Sequence, residues 1–253
     1  MILQWLQLNT METNKYRENE KHLLEMFSSY FKFSNHLIKY VDKTIWNMYD
    51  HNFFEFDDGI TINELKDAYC FQKNDNKDYL KLFSYQRMPK ELVDKMDFEE
   101  NELYTIAFRG NTNSWKTNKD IVIKDINLDS LNKIELKHYK EDYGEEFILL
   151  RNKTFIEKRN NNLKLVGAYL NNEIVGSMYY FSDDKSTCID GLIVDDNHRH
   201  KLIATTMIKH VIDGNNLEVF LHADSDDTPK NMYLNMGFEI VDSGFEYFKK
   251  VIL

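Results

Sequence analysis

Cysteine and proline are scarce in this sequence, and acidic residues outnumber basic ones. The two cysteines are Cys70 and Cys188. Both sit in apolar-rich segments, and no paired spacing marks a zinc site or a disulfide framework. A reducing, cytoplasmic setting is the resulting expectation. Forty-two Asp and Glu stand against 32 Lys and Arg, a formal net charge of −10. That balance lacks the basic footprint of non-specific nucleic-acid binding. It is compatible with a cationic or amine ligand. The opening MILQWLQLNT is apolar but short, without a basic leading region or a small-residue cleavage site. It reads as neither a signal peptide nor a membrane span. Met11 is an alternative start.

What the sequence does hold is enough apolar material for a core: 42% of 253 residues, with 15 Tyr and 17 Phe. The length suits one large or two small domains. Abundant Asn, Lys and Ile hint at an AT-rich bacterial source. Periodicity predicts a charged helix over 14–33, its apolar face made by Leu23, Leu24, Met26, Phe27 and Tyr30. A strand (52–58), a helix (61–73), a strand (79–85), a short helix (89–96) and a strand (102–108) follow. The polar stretch 110–118 reads as a boundary. Beyond it come a strand (120–126), helices at about 128–140 and 144–158, and a hairpin of 162–170 and 173–181 turned at Asn171-Asn172. A strand at 217–223, a helix capped by Thr228 and closed by Gly237, and strands at 238–241 and 245–251 complete the chain.

The two prolines mark an internal repeat. PKELVDKMDFE begins at Pro89 and PKNMYLNMGFE at Pro229, a shift of 140 residues that also pairs Met96 with Met236 and Phe98 with Phe238. Upstream, FFEFDD ends at Asp58 and LIVDD at Asp196. Each is followed by a helix, a strand, the Pro-Lys helix and a last strand.

Cys188 to His210 is the stretch richest in chemistry. Leu192 to Val194 reads as a buried strand and Asp195 to Asn197 as a polar turn. His198-Arg199-His200-Lys201 then opens a helix with Leu202, Ile203, Met207 and Ile208 on its apolar side. A strand, a basic turn and a helix N-terminus together favour a bound phosphate, because the first helical amides lack partners and the helix dipole is positive there. A solvated helix start is the ordinary alternative for such a charge run. In the earlier copy, GITINEL after Asp58 has no basic cluster, and Glu64 and Asp67 add negative charge.

VDDNHRHKLIA (194–204) resembles the pyrophosphate loop R/Q-x-x-G-x-G/A of the GNAT acetyltransferase superfamily, with Arg199 at the R/Q and Ala204 at the last small residue. DDTPKNMYLNMGFE (226–239) resembles that family's Tyr-x-x-x-Gly-Phe segment through Tyr233, Gly237 and Phe238. The resemblance covers residues 120–251, about half the chain. It implies an α/β (α+β) acyl-CoA N-acyltransferase fold, a mixed central sheet flanked by helices. Acetyl-CoA would be the co-substrate, with no metal. Its contacts would come from Leu192, Ile193, Val194, Arg199, His200, Lys201, Leu202, Ile203, Ala204, Thr205 and Asp226. Leu202 departs from the pattern: it stands where the family has its first glycine, either crowding the cofactor or turned inward as a helix core residue. Asp226 stands where many relatives carry an asparagine.

The resemblance further implies direct transfer to an amine. A backbone N–H near Ile193 or Val194 would steady the oxyanion, and Tyr233 would serve as general acid. Asp190, a carboxylate on an apolar strand beside Gly191, is the candidate base, acting through water; a solvent-facing strand residue is the alternative. His222 reads as structural, and so does His51, which is not a metal ligand. The expected organisation is a helical extension (1–34), a degenerate GNAT-like domain (35–115, with Val93 in place of the tyrosine) and an active domain (116–253). The expected partner is a small-molecule primary amine, a free amino acid among the candidates. No nucleic acid or membrane is expected, and the chain would be a monomer or homodimer. A non-catalytic acyl-CoA or metabolite-binding tandem protein and a ligand-free structural module are the competing readings.

Overall fold

In the computed structural model, residues 2–226 and 228–252 are described, without the side chains of residues 2–12 and 228. The cap expected at Thr228 and the alternative start at Met11 concern side chains outside the described residues. The chain forms two compact units. One comprises Met1–Leu23, Ile106–His222 and Asn231–Glu239; the other comprises Leu24–Thr105, Ala223–Lys230 and Ile240–Leu253.

The first unit opens with helix α1 (Ile2–Glu25), which therefore starts earlier and stops sooner than periodicity predicts. Among its described side chains Tyr16 and Asn19, rather than the predicted leucine face, are fully buried. Strand β6 (Ile121–Asp125), helices α4 (Leu128–Tyr143) and α5 (Glu145–Lys158), and strands β7 (Leu163–Leu170), β8 (Glu173–Ser182) and β9 (Ser186–Val194) follow. Asn127 caps α4 by accepting from Ser130 N–H at 2.8 Å. Asn171 and Asn172 both adopt positive φ, the twist a two-residue hairpin turn requires. Helix α6 (Ile203–Asp213), strand β10 (Glu218–Asp224) and helix α7 (Thr228–Asn235) come next. Gly237 stands at φ +94°, a backbone conformation that a residue with a side chain adopts only under strain. β6, β7, β8 and β9 pair antiparallel in sequence, and β9 pairs parallel with β10. The parallel pair is a strand–helix–strand crossover through α6.

The second unit contains β1 (Ser29–Lys32), β2 (Leu37–Val41), β3 (Phe54–Phe56), helix α2 (Ile62–Asn74), β4 (Tyr79–Ser84), helix α3 (Lys90–Met96) and most of β5 (Glu99–Phe108). It also receives most of β11 (Phe238–Lys250), a single strand where the sequence suggests two. β1 lies inside the predicted first helix: after the turn at Phe27 and Ser28, both bonded to Leu24 O, the chain becomes extended. The strand order runs β1-β2-β3-β4-β11, with β3 and β4 parallel. Its core gathers Leu37, Phe54, Leu65, Leu80, Leu82, Met96 and Tyr247. Thus β3–α2–β4 here and β9–α6–β10 in the first unit are the same construction.

Candidate active site

β9 is paired on both sides only in its first half. Its parallel register with β10 runs from Ser186↔Glu218 to Ile189↔Leu221. Beyond that point the strands part, and Asp190–Val194 remain paired to β8 alone among the described residues. Against β8, Tyr179 pairs with Asp190 but Ser177 with Ile193, so β9 carries one extra residue. Gly191, at φ +60°, sits in this bulge, and a Cβ there would come 2.7 Å from the Tyr179 ring. A bulge of this kind frees backbone groups from the ladder and re-aims side chains. The result is an unpaired strand edge along Leu192, Ile193 and Val194.

That edge leads into the turn before α6. Asp195 accepts from Asn197 N–H at 2.9 Å and pairs with His198 and Lys137. The Lys137 hydrogen bond holds the Asp195 carboxyl below its usual range. One 3-10 turn, Asp196–His198, follows. Arg199 pairs with Asp196 at 2.8 Å and is largely exposed. His200 and Leu202 both have positive φ, 62° and 60°.

Leu202 overturns the expectation of a helix core residue. It is the residue before the helix, in left-handed conformation, with 43% of its surface exposed. The glycine of the family pattern therefore has a local backbone reason: the position needs φ > 0, which costs a leucine about 1 kcal/mol. The Leu202 carbonyl accepts from Thr206 N–H and Oγ1, and the Lys201 carbonyl accepts from Asn118 Nδ2 at 3.0 Å. Asn118 N–H in turn donates to Thr206 Oγ1 at 3.0 Å. The carbonyls of the turn are thus tied back, and no side chain caps the amides of Ile203, Ala204 and Thr205. Asn118, a bracing residue of this turn, lies in a stretch that the sequence offers only as a boundary.

Asp190 is exposed, and it accepts from Tyr179 Oη and Gly191 N–H. Burial and the Asp190 carboxylate push the Tyr179 hydroxyl pKa well up, so Tyr179 stays a donor. Phe155 packs on the Tyr179 ring at 5.1 Å. On α4 and α5, Arg151 pairs with the buried Glu135 and lies over Tyr139. Tyr233 is 9% exposed and packs on Phe238 at 5.9 Å. Asp226 belongs to the second unit, in an exposed turn where Ser225 Oγ donates to it at 3.5 Å. His51 is a satisfied residue, bonded through Nδ1 to Asp42 at 2.9 Å. Among the described residues no cluster of His, Cys, Asp and Glu is arranged to hold a metal ion. No helix among them is long and apolar enough to cross a membrane.

Residues 128–238 match the acetyltransferase (GNAT) family, a family that draws its acyl group from acyl-CoA. No protein of curated function matches the sequence. A functionally unknown conserved protein from Staphylococcus epidermidis superposes with a TM-score of 0.75 at 20% identity, over 89% of this chain and 95% of that one. A GCN5-related N-acetyltransferase from Kribbella flavida gives 0.65 at 11% identity, over 93% and 94%. A tandem GNAT protein from the clavulanic acid biosynthesis pathway gives 0.55 at 9%, over 86% and 79%. At these identities the likeness is one of fold, a mixed sheet flanked by helices.

Proposed function

We propose that the chain is an acetyl-CoA-dependent N-acetyltransferase acting on the primary amine of a small molecule, with free amino acids among the candidates. The observation that carries this reading is the uncapped first turn of α6, set directly after a strand edge that has lost its neighbour. The amides of Ile203, Ala204 and Thr205, with Arg199, His200 and Lys201 around them, suit a diphosphate. Leu192, Ile193 and Val194 offer free backbone to an extended arm, and an N–H at Ile193 or Val194 suits a developing oxyanion. Acetyl-CoA supplies the thioester. Asp190, oriented by Tyr179 and Gly191, accepts the proton of the incoming ammonium, directly or through water. Tyr233 returns a proton to the departing thiolate. Holding both reactants side by side provides much of the rate.

The second unit is, in this reading, a degenerate copy: Val93 stands where Tyr233 does, and a carboxylate occupies its corresponding helix start. Thiol release from acetyl-CoA over a panel of amines and amino acids tests the proposal. Amine-dependent release is expected. Binding of acetyl-CoA without release for any amine would overturn it in favour of a non-catalytic binder. The absence of a membrane-crossing helix among the described residues and the two free cysteines support a cytoplasmic enzyme.

A further inference from the structure

The gap between β9 and β10 has a second ionisable group. Cys188 and Phe220 are register partners across the parallel pair. The next positions on the same face are Asp190 and His222, one on each strand, just where pairing stops. Glu20 of α1, far outside the family-matched residues, pairs with His222 Nε2. Among the groups facing the imidazole are Glu20 from α1, the Cys188 thiol from β9 and the Phe220 ring at 5.6 Å on its own strand, with Asp190 beyond Cys188. α1 is fixed over this face. Asn19 Nδ2 donates to Ser186 O at 2.9 Å, Tyr16 Oη donates to Glu218 at 2.8 Å, and the Tyr16 ring packs on Phe220 at 4.9 Å.

We propose that α1 belongs to the active site: Glu20 holds His222 as an imidazolium, and this fixed charge steadies the negative charge that develops on the thioester oxygen and then on the leaving sulfur. The inference rests on the acyl-transfer reading above. Burial acts to lower the His222 pKa, but the Glu20 carboxylate outweighs it, and the net shift is well upward. Burial pushes the Cys188 thiol up to about 11, so Cys188 stays a thiol and is not the nucleophile. The amine nitrogen bonds to the carbonyl carbon, the carbon–sulfur bond breaks, and its electron pair stays on sulfur. The ammonium gives up two protons, one ending on sulfur and one in solvent. His222 keeps its own proton throughout and acts by charge; Glu20 is a positioning residue.

The experiment compares the full wild-type chain with Glu20→Gln and His222→Gln, using imidazole NMR titration and the pH dependence of kcat with acetyl-CoA and an active amine. In the wild type, His222 should titrate well above ordinary histidine. The alkaline loss of kcat should follow it, since a raised pKa keeps the charge at neutral pH and loses it as pH rises through the folded value. Glu20→Gln should move both to lower pH and reduce kcat roughly 10- to 100-fold, with the KM for acetyl-CoA little changed. His222→Gln should lose kcat similarly and flatten the alkaline limb. An NMR shift in Glu20→Gln with kcat and its profile unmoved would overturn the catalytic role, and so would an unshifted His222. If the wild type acetylates no amine, the acyl-transfer reading itself has failed; the NMR arm reports separately on the Glu20–His222 pair.

Discussion

Two helices in this chain follow a strand that pairs parallel with its successor, and their first turns are finished in opposite ways. At α2, Thr61 and Glu64 form a capping box. The Glu64 carboxylate accepts from Thr61 N–H at 3.1 Å, Ser34 Oγ at 2.6 Å and His36 N–H at 3.2 Å. The chain fills that anion site with its own charge. At α6, the residue in the place of Glu64, third after the one preceding the helix, is Thr205, and no side chain caps the turn. The same construction is capped by its own side chains in one unit and has no side-chain cap in the other. A helix start therefore says little until the occupant of its third position is known.

Substitutions can break or sharpen this contrast. The largest effect is expected at Tyr233: Tyr233→Phe should lower kcat about 100-fold while leaving acetyl-CoA affinity intact, since the ring still packs on Phe238. Unchanged turnover at every pH would remove Tyr233 from the mechanism. Next, Thr205→Glu should give α6 the carboxylate that α2 has. A charge there opposes a diphosphate by roughly 2 kcal/mol, about 30-fold in the dissociation constant, as titration calorimetry would measure.

The reverse change, Glu64→Gln, should destabilise the protein by about 1 kcal/mol without affecting acetyl-CoA binding. Burial alone would raise the Glu64 pKa, but its hydrogen bonds with Ser34, Thr61 and the His36 amide lower it overall. A depressed carboxylate stabilises above its unfolded pKa and stops doing so as pH falls through the folded value. The difference between wild type and Glu64→Gln in denaturant unfolding should thus be full at neutral pH and shrink below about pH 4. Smallest is Leu202→Gly. It relieves the left-handed leucine, a gain of about 1 kcal/mol partly offset by the freer unfolded chain. It should raise Tm slightly, and it should tighten acetyl-CoA binding a few-fold if the exposed side chain crowds the diphosphate.

Much of the fold was legible because its elements obey simple periods. The α2, α3, α4 and α5 segments and the β7–β8 hairpin fall within a few residues of their predicted places. β1 was not legible: the apolar spacing of Leu23, Leu24, Phe27 and Tyr30 continues a helical stripe that the chain abandons at Ser28. β2 was missed because Leu37–Val41 is short and interrupted by Lys39, which is nonetheless buried, its pKa lowered by that burial to about 7. Around the site, the motif found the turn and marked Leu202 as its odd member, but only φ reveals why glycine belongs there. His222 was visible as a histidine ending an apolar strand. Its partner was not, since nothing near residue 20 points to residue 222.

Our proposed acetyl-CoA site is the open turn of α6 and not the filled turn of α2. Calorimetric titration of acetyl-CoA into wild type, Thr205→Glu and Glu64→Gln tests it directly. The account predicts binding to wild type and Glu64→Gln with equal affinity, and a loss of about 30-fold in Thr205→Glu. Equal affinity in all three, or a loss confined to Glu64→Gln, would contradict it.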